Sequence, residues 1–176
     1  PSSILQPIDA YGISKMAAGK LGLLEAKKKK MSFIWVRIFS VYGKYENPNS
    51  MIQVTLQKLL KNENCDFSTG TQMWDYLYSS DAGRAFLKLG DSETKNNYYC
   101  LGRGNAKPLK EYIYEMQNIL HSNSKLNFGI IQDNPINRNG MCVDITTLTQ
   151  DTGWVPEVDF IQGIKWEVER LRRKMK

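Results

Sequence analysis

Two spacings of apolar residues alternate along this chain and divide it into helices and strands. Phe33-Ile34-Trp35-Val36-Arg37-Ile38-Phe39 is almost unbroken, is dominated by β-branched and aromatic side chains, and is followed by turn signals at Tyr42-Gly43. Such a run reads as a strand buried on both faces, which implies a parallel sheet with helical cover. Helical spacing marks Pro108 to Leu120, through Tyr112, Met116, Ile119 and Leu120, and Val158 to Arg172, through Phe160, Ile164, Val168 and Leu171. Capping residues place the other helices. Pro7 and Asp9 open one to about Lys29, Ser50 precedes one from Met51 to about Lys61, and Ser80 or Asp81 caps one to about Leu89. Asp144 caps a short helix to Asp151, which Gly153 ends and Pro156 keeps from continuing. Shorter strands are expected at Cys65–Ser68, Trp74–Tyr78, Asn97–Leu101 and Phe128–Ile131. A helix followed by a buried strand is a fragment of an α/β unit. In the first helix, Ala17-Ala18-Gly19 and Gly22 permit close approach of another helix, either within the fold or across a subunit interface.

Composition is that of an ordinary globular domain, 41% hydrophobic and 24% charged over 176 residues, enough for one domain or one and a fraction. The net charge of +6 changes the picture little. Seven of the 24 cations sit in Lys27-Lys28-Lys29-Lys30 and Arg172-Arg173-Lys174, which read as solvated helix ends. With no nucleic-acid-binding motif beside them, a nucleic-acid partner is not expected. Cys65, Cys100 and Cys142 are far apart and lack metal-ligand spacing, so a reducing compartment fits. The single histidine, His121, falls at a helix end, which argues against a histidine triad or histidine-ligated zinc. No apolar run approaches a membrane span and Pro1-Ser2-Ser3 has no signal-peptide character. The expectation is a cytoplasmic protein with neither metal nor membrane partner.

The candidate chemistry lies at Tyr11-Gly12-Ile13-Ser14-Lys15. Four residues apart on a helix, Tyr11 and Lys15 share one face. A free phenol titrates near pH 10, too high for acid/base work at neutrality, and a cation beside it favours the phenolate. The pair is weak evidence alone, because nine tyrosines and 17 lysines in 176 residues give about one such spacing by chance.

Four further segments accompany it: Arg37-Ile38-Phe39-Ser40-Val41-Tyr42-Gly43; Gly70-Thr71-Gln72-Met73-Trp74-Asp75-Tyr76-Leu77-Tyr78-Ser79-Ser80-Asp81; Tyr98-Tyr99-Cys100-Leu101-Gly102; and Asp144 followed by Gly153-Trp154-Val155-Pro156. In this order and spacing the chain resembles the extended short-chain dehydrogenase/reductase family, which includes NAD-dependent nucleotide-sugar 4-epimerases, 4,6-dehydratases and 4-ketoreductases. The resemblance implies an α/β fold, the C-terminal part of a Rossmann-like parallel sheet plus a small α+β substrate-binding domain. Residues 1–48 would be the remnant of the NAD(P)-binding domain, and residues 49–176 mainly the substrate-binding domain, with some segments returning to the first.

By the same resemblance Tyr11 is the catalytic acid/base and Lys15 binds the nicotinamide ribose of NAD or NADP and supports the tyrosine. Phe39 contacts the cofactor through its backbone, Ser40 stands where an asparagine commonly meets the substrate diphosphate, and Asn49, Ser50 and Met51 face the nucleotide. Asp66 and Phe67 lie on the strand along the base. The implied substrate is a nucleotide-diphosphate sugar, and the implied assembly a homodimer through the Tyr11 helix.

Departures accompany the match. Trp74 replaces an arginine that usually clamps the diphosphate, and Asn134-Pro135 stands where a second is expected, with Arg138, Arg103 and Lys44 as substitutes to consider. The glycine-rich dinucleotide turn is absent, Gly102-Arg103-Gly104 being too late and lacking a third glycine. The family's catalytic serine or threonine precedes its tyrosine by more residues than stand before Tyr11, and Ser2 and Ser3 are too close to serve. The chain therefore looks like the C-terminal portion of a longer protein, inactive alone and marginal as a fold, with an exposed sheet edge. Epimerisation, dehydration and reduction all stay open, as does a non-catalytic sugar-nucleotide-binding relative.

Overall fold

A computed structural model describes residues 6–94, 96–133 and 140–174. Helix α1, Ala10–Lys29, starts as expected at Asp9, whose Oδ1 accepts the Gly12 N–H at 2.7 Å, and ends on Lys30 in a left-handed conformation. Strand β1, Trp35–Ile38, pairs in parallel with β6, Tyr98–Leu101. Two further short parallel pairs follow: β2, Val41–Tyr42, with β5, Leu77–Tyr78, and β3, Cys65–Asp66, with β8, Leu126–Asn127. Strand β4, Met73–Trp74, pairs antiparallel with β7, Lys107–Pro108. The remaining helices are α2 (Met51–Leu60), α3 (Ser79–Asp91), α4 (Leu109–Leu120), α5 (Thr146–Thr152) and α6 (Phe160–Lys174). No described helix is long and apolar enough to cross a membrane.

Two hydrophobic clusters organise these elements. One joins α2, α4 and α6 through Leu56, Ile113, Met116 and Ile164 around the rings of Tyr42, Tyr76, Tyr112 and Phe160. The other sets Leu77, Ala85, Leu89, Tyr99 and Leu101 against Leu148 and Trp154, with Ile34, Val36 and Val41 at its margin. Strand β6 and the second cluster thus pack on the β1 segment.

Several expectations need correction. Strand β1 is half-buried rather than enclosed on both faces, and Ile38 is 56% exposed. Helix α1 and the second cluster each cover part of it, but β6 is its sole strand partner among the described residues. The small residues of α1 receive rings of the strand segment instead of a helix. A Cβ on Gly19 would lie 2.3 Å from Trp35 Cε2, and one on Gly22 2.6 Å from Phe33 Cζ.

The expected strand Trp74–Tyr78 is two strands in different sheets, divided by buried Asp75 and Tyr76. Residues 128–131 form a turn beyond β8, with the Ile130 and Ile131 N–H groups both donating to Phe67 O at 3.1 Å. Neither Ser80 nor Asp81 caps α3, whose N-cap is Tyr78 without a side-chain bond.

Candidate functional site

The amino-terminal half of α1 and the strand beside it form one wall each of a cleft of about 610 Å³. Tyr11, Lys15 and Met16 line it from the helix, and Trp35, Arg37 and Phe39 from the strand. The helix brings Tyr11 and Lys15 together because residues four apart stack on one face. Lys15 Nζ lies 5.4 Å from the centre of the Tyr11 ring, and the phenol is exposed to the cleft's solvent. Across it, Trp35, Arg37 and Phe39 share one side of β1 and its extension because alternate residues of a strand do so. Arg37 stacks on the Phe39 ring at 5.2 Å and donates from Nη1 to Tyr98 Oη at 2.7 Å. Tyr11, Lys15 and Phe39, singled out in the sequence, are therefore in one cleft. Arg37 is there as well, although nothing in its spacing set it apart from an ordinary strand residue.

A second cleft, about 470 Å³, opens between α2, β3 and the loop after it. Asn49, Met51, Asp66 and Phe67 line it, together with Thr69, Gln72 and Asp133. Ser50 does not, because its hydroxyl is used to start α2, accepting the Gln53 N–H at 3.2 Å. Phe67 is buried and stacks on Phe128 at 5.4 Å, so one face of its ring is already occupied.

The two clefts differ in charge. Among their described lining residues, the first has two cations, Lys15 and Arg37, and no carboxylate, and the second has two carboxylates, Asp66 and Asp133, and no cation. Charged groups of one sign focus the opposite sign of ligand, so the clefts suit different parts of a bound molecule.

Ser40 lies in neither lining. It occupies the bend between β1 and β2 with φ of +37°, a conformation that asparagine adopts more readily than most residues, and its hydroxyl donates to Met141 Sδ at 3.4 Å. The residues considered as substitutes for the diphosphate arginines are also elsewhere. Arg103 donates from Nη1 to the Val158 carbonyl, Lys44 lies over the Tyr45 ring at 4.8 Å, and Arg138 and Asn134-Pro135 fall outside the described residues. Trp74 packs 6.3 Å from the Tyr76 ring, its buried Nε1 without a hydrogen-bond partner among the described residues.

Two aspartates of the sequence segments have structural work that spacing did not disclose. Asp75 is fully buried and its carboxylate accepts the Arg103 N–H at 3.0 Å and the Gly104 N–H at 2.8 Å. Burial pushes its carboxyl above the usual range, against the opposing pull of those N–H groups. The same bonds explain why Gly102-Arg103-Gly104 is no phosphate turn: its backbone donors are taken, and a Cβ on Gly102 would lie 2.7 Å from Val143. Asp81 accepts from Glu157 N at 3.0 Å and Val158 N at 2.9 Å and pairs with Arg84 at 2.6 Å, tying α3 to the segment that leads into α6.

Residues 1–102 match the profile of the "NAD dependent epimerase/dehydratase family". Over 172 residues the chain is 27% identical to a CDP-abequose synthase of Salmonella typhimurium, with 94% of this chain and 57% of that relative covered. Among solved structures, a UDP-glucose 4-epimerase from Thermotoga maritima with UDP-glucose superimposes with a TM-score of 0.88 at 22% identity, covering 97% of this chain and 56% of that one. RMD from Pseudomonas aeruginosa complexed with NADPH gives a TM-score of 0.89 at 18% identity, with 98% and 59% covered. These likenesses establish the Rossmann-like α/β fold. The chain spans about half the length of the curated relatives it matches.

Proposed function

This chain belongs to the NAD dependent epimerase/dehydratase family, and from that premise we propose that it contributes the acid/base and substrate-binding part of a nucleotide-sugar epimerase, dehydratase or reductase. The observation that carries the reading is the exposed Tyr11 phenol with Lys15 Nζ 5.4 Å from its ring, facing Phe39 across one cleft. Two cations, a half-buried aromatic wall and an exposed phenol suit the nicotinamide-ribose end of a dinucleotide, so the residues present fit NAD or NADP. Tyr11, Lys15 and the Phe39 backbone would hold that end. When bound, the cofactor accepts or donates hydride at a sugar carbon.

The chain's own part is the proton. Tyr11 Oη takes the proton from a sugar hydroxyl or returns it to a carbonyl oxygen, within the reach such transfers require. Lys15 keeps positive charge beside the phenolate that forms. Asn49, Ser50, Met51, Asp66 and Phe67 belong to the nucleotide end, Ser50 indirectly through the α2 terminus that it caps. Ser40 reaches the diphosphate only by leaving Met141. A second copy pairs along α1, where Ile13, Leu21 and Leu24 are exposed, and the three free cysteines fit the cytoplasm.

The test is Tyr11→Phe in the complete protein. Turnover should fall by about 10²- to 10⁴-fold, the usual contribution of a positioned acid/base, with cofactor affinity nearly intact because Lys15 and the Phe39 backbone remain. Full activity in that variant removes Tyr11 from the chemistry.

Trp74 favours a second reading, a relative that binds sugar nucleotides without turning them over, since an indole cannot make the bidentate pair that an arginine makes with a phosphate. Calorimetry on this chain combined with a turnover assay of the complete protein separates the two: nucleotide-sugar binding without any cofactor and no turnover by the complete protein supports the binding module.

A further inference from the structure

The second cleft has no cationic side chain for a diphosphate among its described lining residues. Its charged lining residues among those described are both carboxylates, and the rest are neutral amides, hydroxyls and apolar side chains such as Met51, Leu109 and Ile113. A phosphate there would meet like charge, whereas an uncharged ring with N–H donors would not. The cleft therefore suits the base of a nucleotide.

Its two carboxylates present different atoms to that base. Asp133 is held by Thr69, whose hydroxyl lies 3.1 Å from each carboxylate oxygen and whose N–H donates to Oδ1 at 3.1 Å. Asp66 accepts the Asn127 Nδ2 amide at 2.7 Å on Oδ1, and its Oδ2 has no hydrogen bond among the described residues. Asp66 is exposed on β3, directly beside Phe67. One open carboxylate oxygen accepts one N–H.

Pyrimidines differ at the atom that would meet it. Cytosine presents the N4 amine, and a carboxylate is the side chain that accepts from it; thymine and uracil present the O4 carbonyl at the same place. Facing Asp66 Oδ2, O4 brings two acceptors together with no proton between them. The ring N3–H of uracil lies between two carbonyls and reaches the carboxylate only with the same repulsion. Guanine pairs a carboxylate through two parallel donors, and Asn127 already holds the second oxygen.

We infer that Asp66 reads the base of the sugar nucleotide and selects a cytidine diphosphate sugar over uridine or thymidine ones. The inference rests on the assignment of this cleft to the nucleotide in the preceding subsection. Asp66→Asn keeps an acceptor for Asn127 and replaces the second oxygen by an amide that can donate to O4.

Calorimetric titration of the full chain with CDP and with UDP tests this. CDP should bind about tenfold more tightly, the low end of what one base-specific hydrogen bond gives at an exposed site. In Asp66→Asn the ratio should fall to about one. Equal binding of CDP and UDP by the natural chain overturns the inference and leaves the nucleotide-sugar reading intact, and this arm needs no variant to fold. An unchanged ratio in Asp66→Asn overturns the role of Asp66. Binding of neither nucleotide removes the assignment of the cleft itself, and the base preference with it.

Discussion

Glu46 shows at the scale of one residue how position converts an ordinary side chain into a pH-sensitive one. It is half-buried after β2, where Gln53 Nε2 donates to it at 3.5 Å and to buried Glu167 at 3.2 Å. Arg170 pairs with Glu167 at 2.6 Å and Tyr78 donates to it at 3.4 Å, so the compensating cation is on the other carboxylate. Burial raises the Glu46 carboxyl above its usual range, hydrogen bonds from Ser50 and Gln53 oppose the rise, and Glu167 adds to it. The folded state thus holds this proton at a pH where the unfolded chain has released it. The contribution is fully present below the ordinary glutamate value and is lost as pH rises through the raised one. Glu46→Gln has no such loss. Urea denaturation should show the variant gaining on the natural chain as pH rises from the ordinary glutamate range through the raised value, and a constant difference across that rise would contradict the assignment. None of this was legible in sequence, because Glu167 lies outside every local window that includes Glu46.

At the scale of elements, the docking of α1 on β1 decides the geometry of the first cleft. Gly19 is buried under the Trp35 ring, with room for no Cβ. Gly19→Ala gains up to about 1 kcal/mol of helix propensity, while overpacking a close contact costs about 1–3 kcal/mol. The balance is destabilising by roughly 1 kcal/mol, because an indole wedged against a strand cannot retreat like the end of a flexible chain. The denaturation midpoint should fall, and an unchanged or raised midpoint would show that Trp35 has room to move. The caps Asp9 and Ser50 and the terminator Gly153 are where sequence placed them, since capping uses partners within a few residues. The two-residue strands β2, β3, β4, β5, β7 and β8 are too short to show a period of two, and their partners are far along the chain.

Across the whole molecule, apolar surface remains uncovered. Ile13, Leu21 and Leu24 of α1 are 51%, 64% and 58% exposed. A separate groove of about 980 Å³ is lined by Leu23, Met31, Phe33, Val36, Phe86 and Leu89. Contiguous exposed patches of this kind mark association surfaces more often than free solvent boundaries. The pairing proposed along α1 predicts a dimer in sedimentation velocity, and Leu21→Glu with Leu24→Glu should return it to monomer, since these residues are three apart on one side of the helix. A compact monomeric natural chain would exclude that pairing at the concentration used.

What the sequence by itself determined is local: the helical periods, the caps Asp9 and Ser50 with the terminator Gly153, the apolar run at 33–39, and the i,i+4 relation of Tyr11 to Lys15. Side-chain periodicity and capping depend on neighbours within about one turn or a few strand residues, so they can be read without knowing the fold. Tertiary structure alone decided that Arg37 joins Tyr11 and Lys15 while Asp66 and Asp133 gather in a second cleft of opposite charge. It also made Asp75 and Asp81 acceptors for backbone groups 28 and 76 residues away. Burial, charge and hydrogen-bond partners across such separations are fixed only when the chain closes on itself, because each depends on groups that no local spacing brings together.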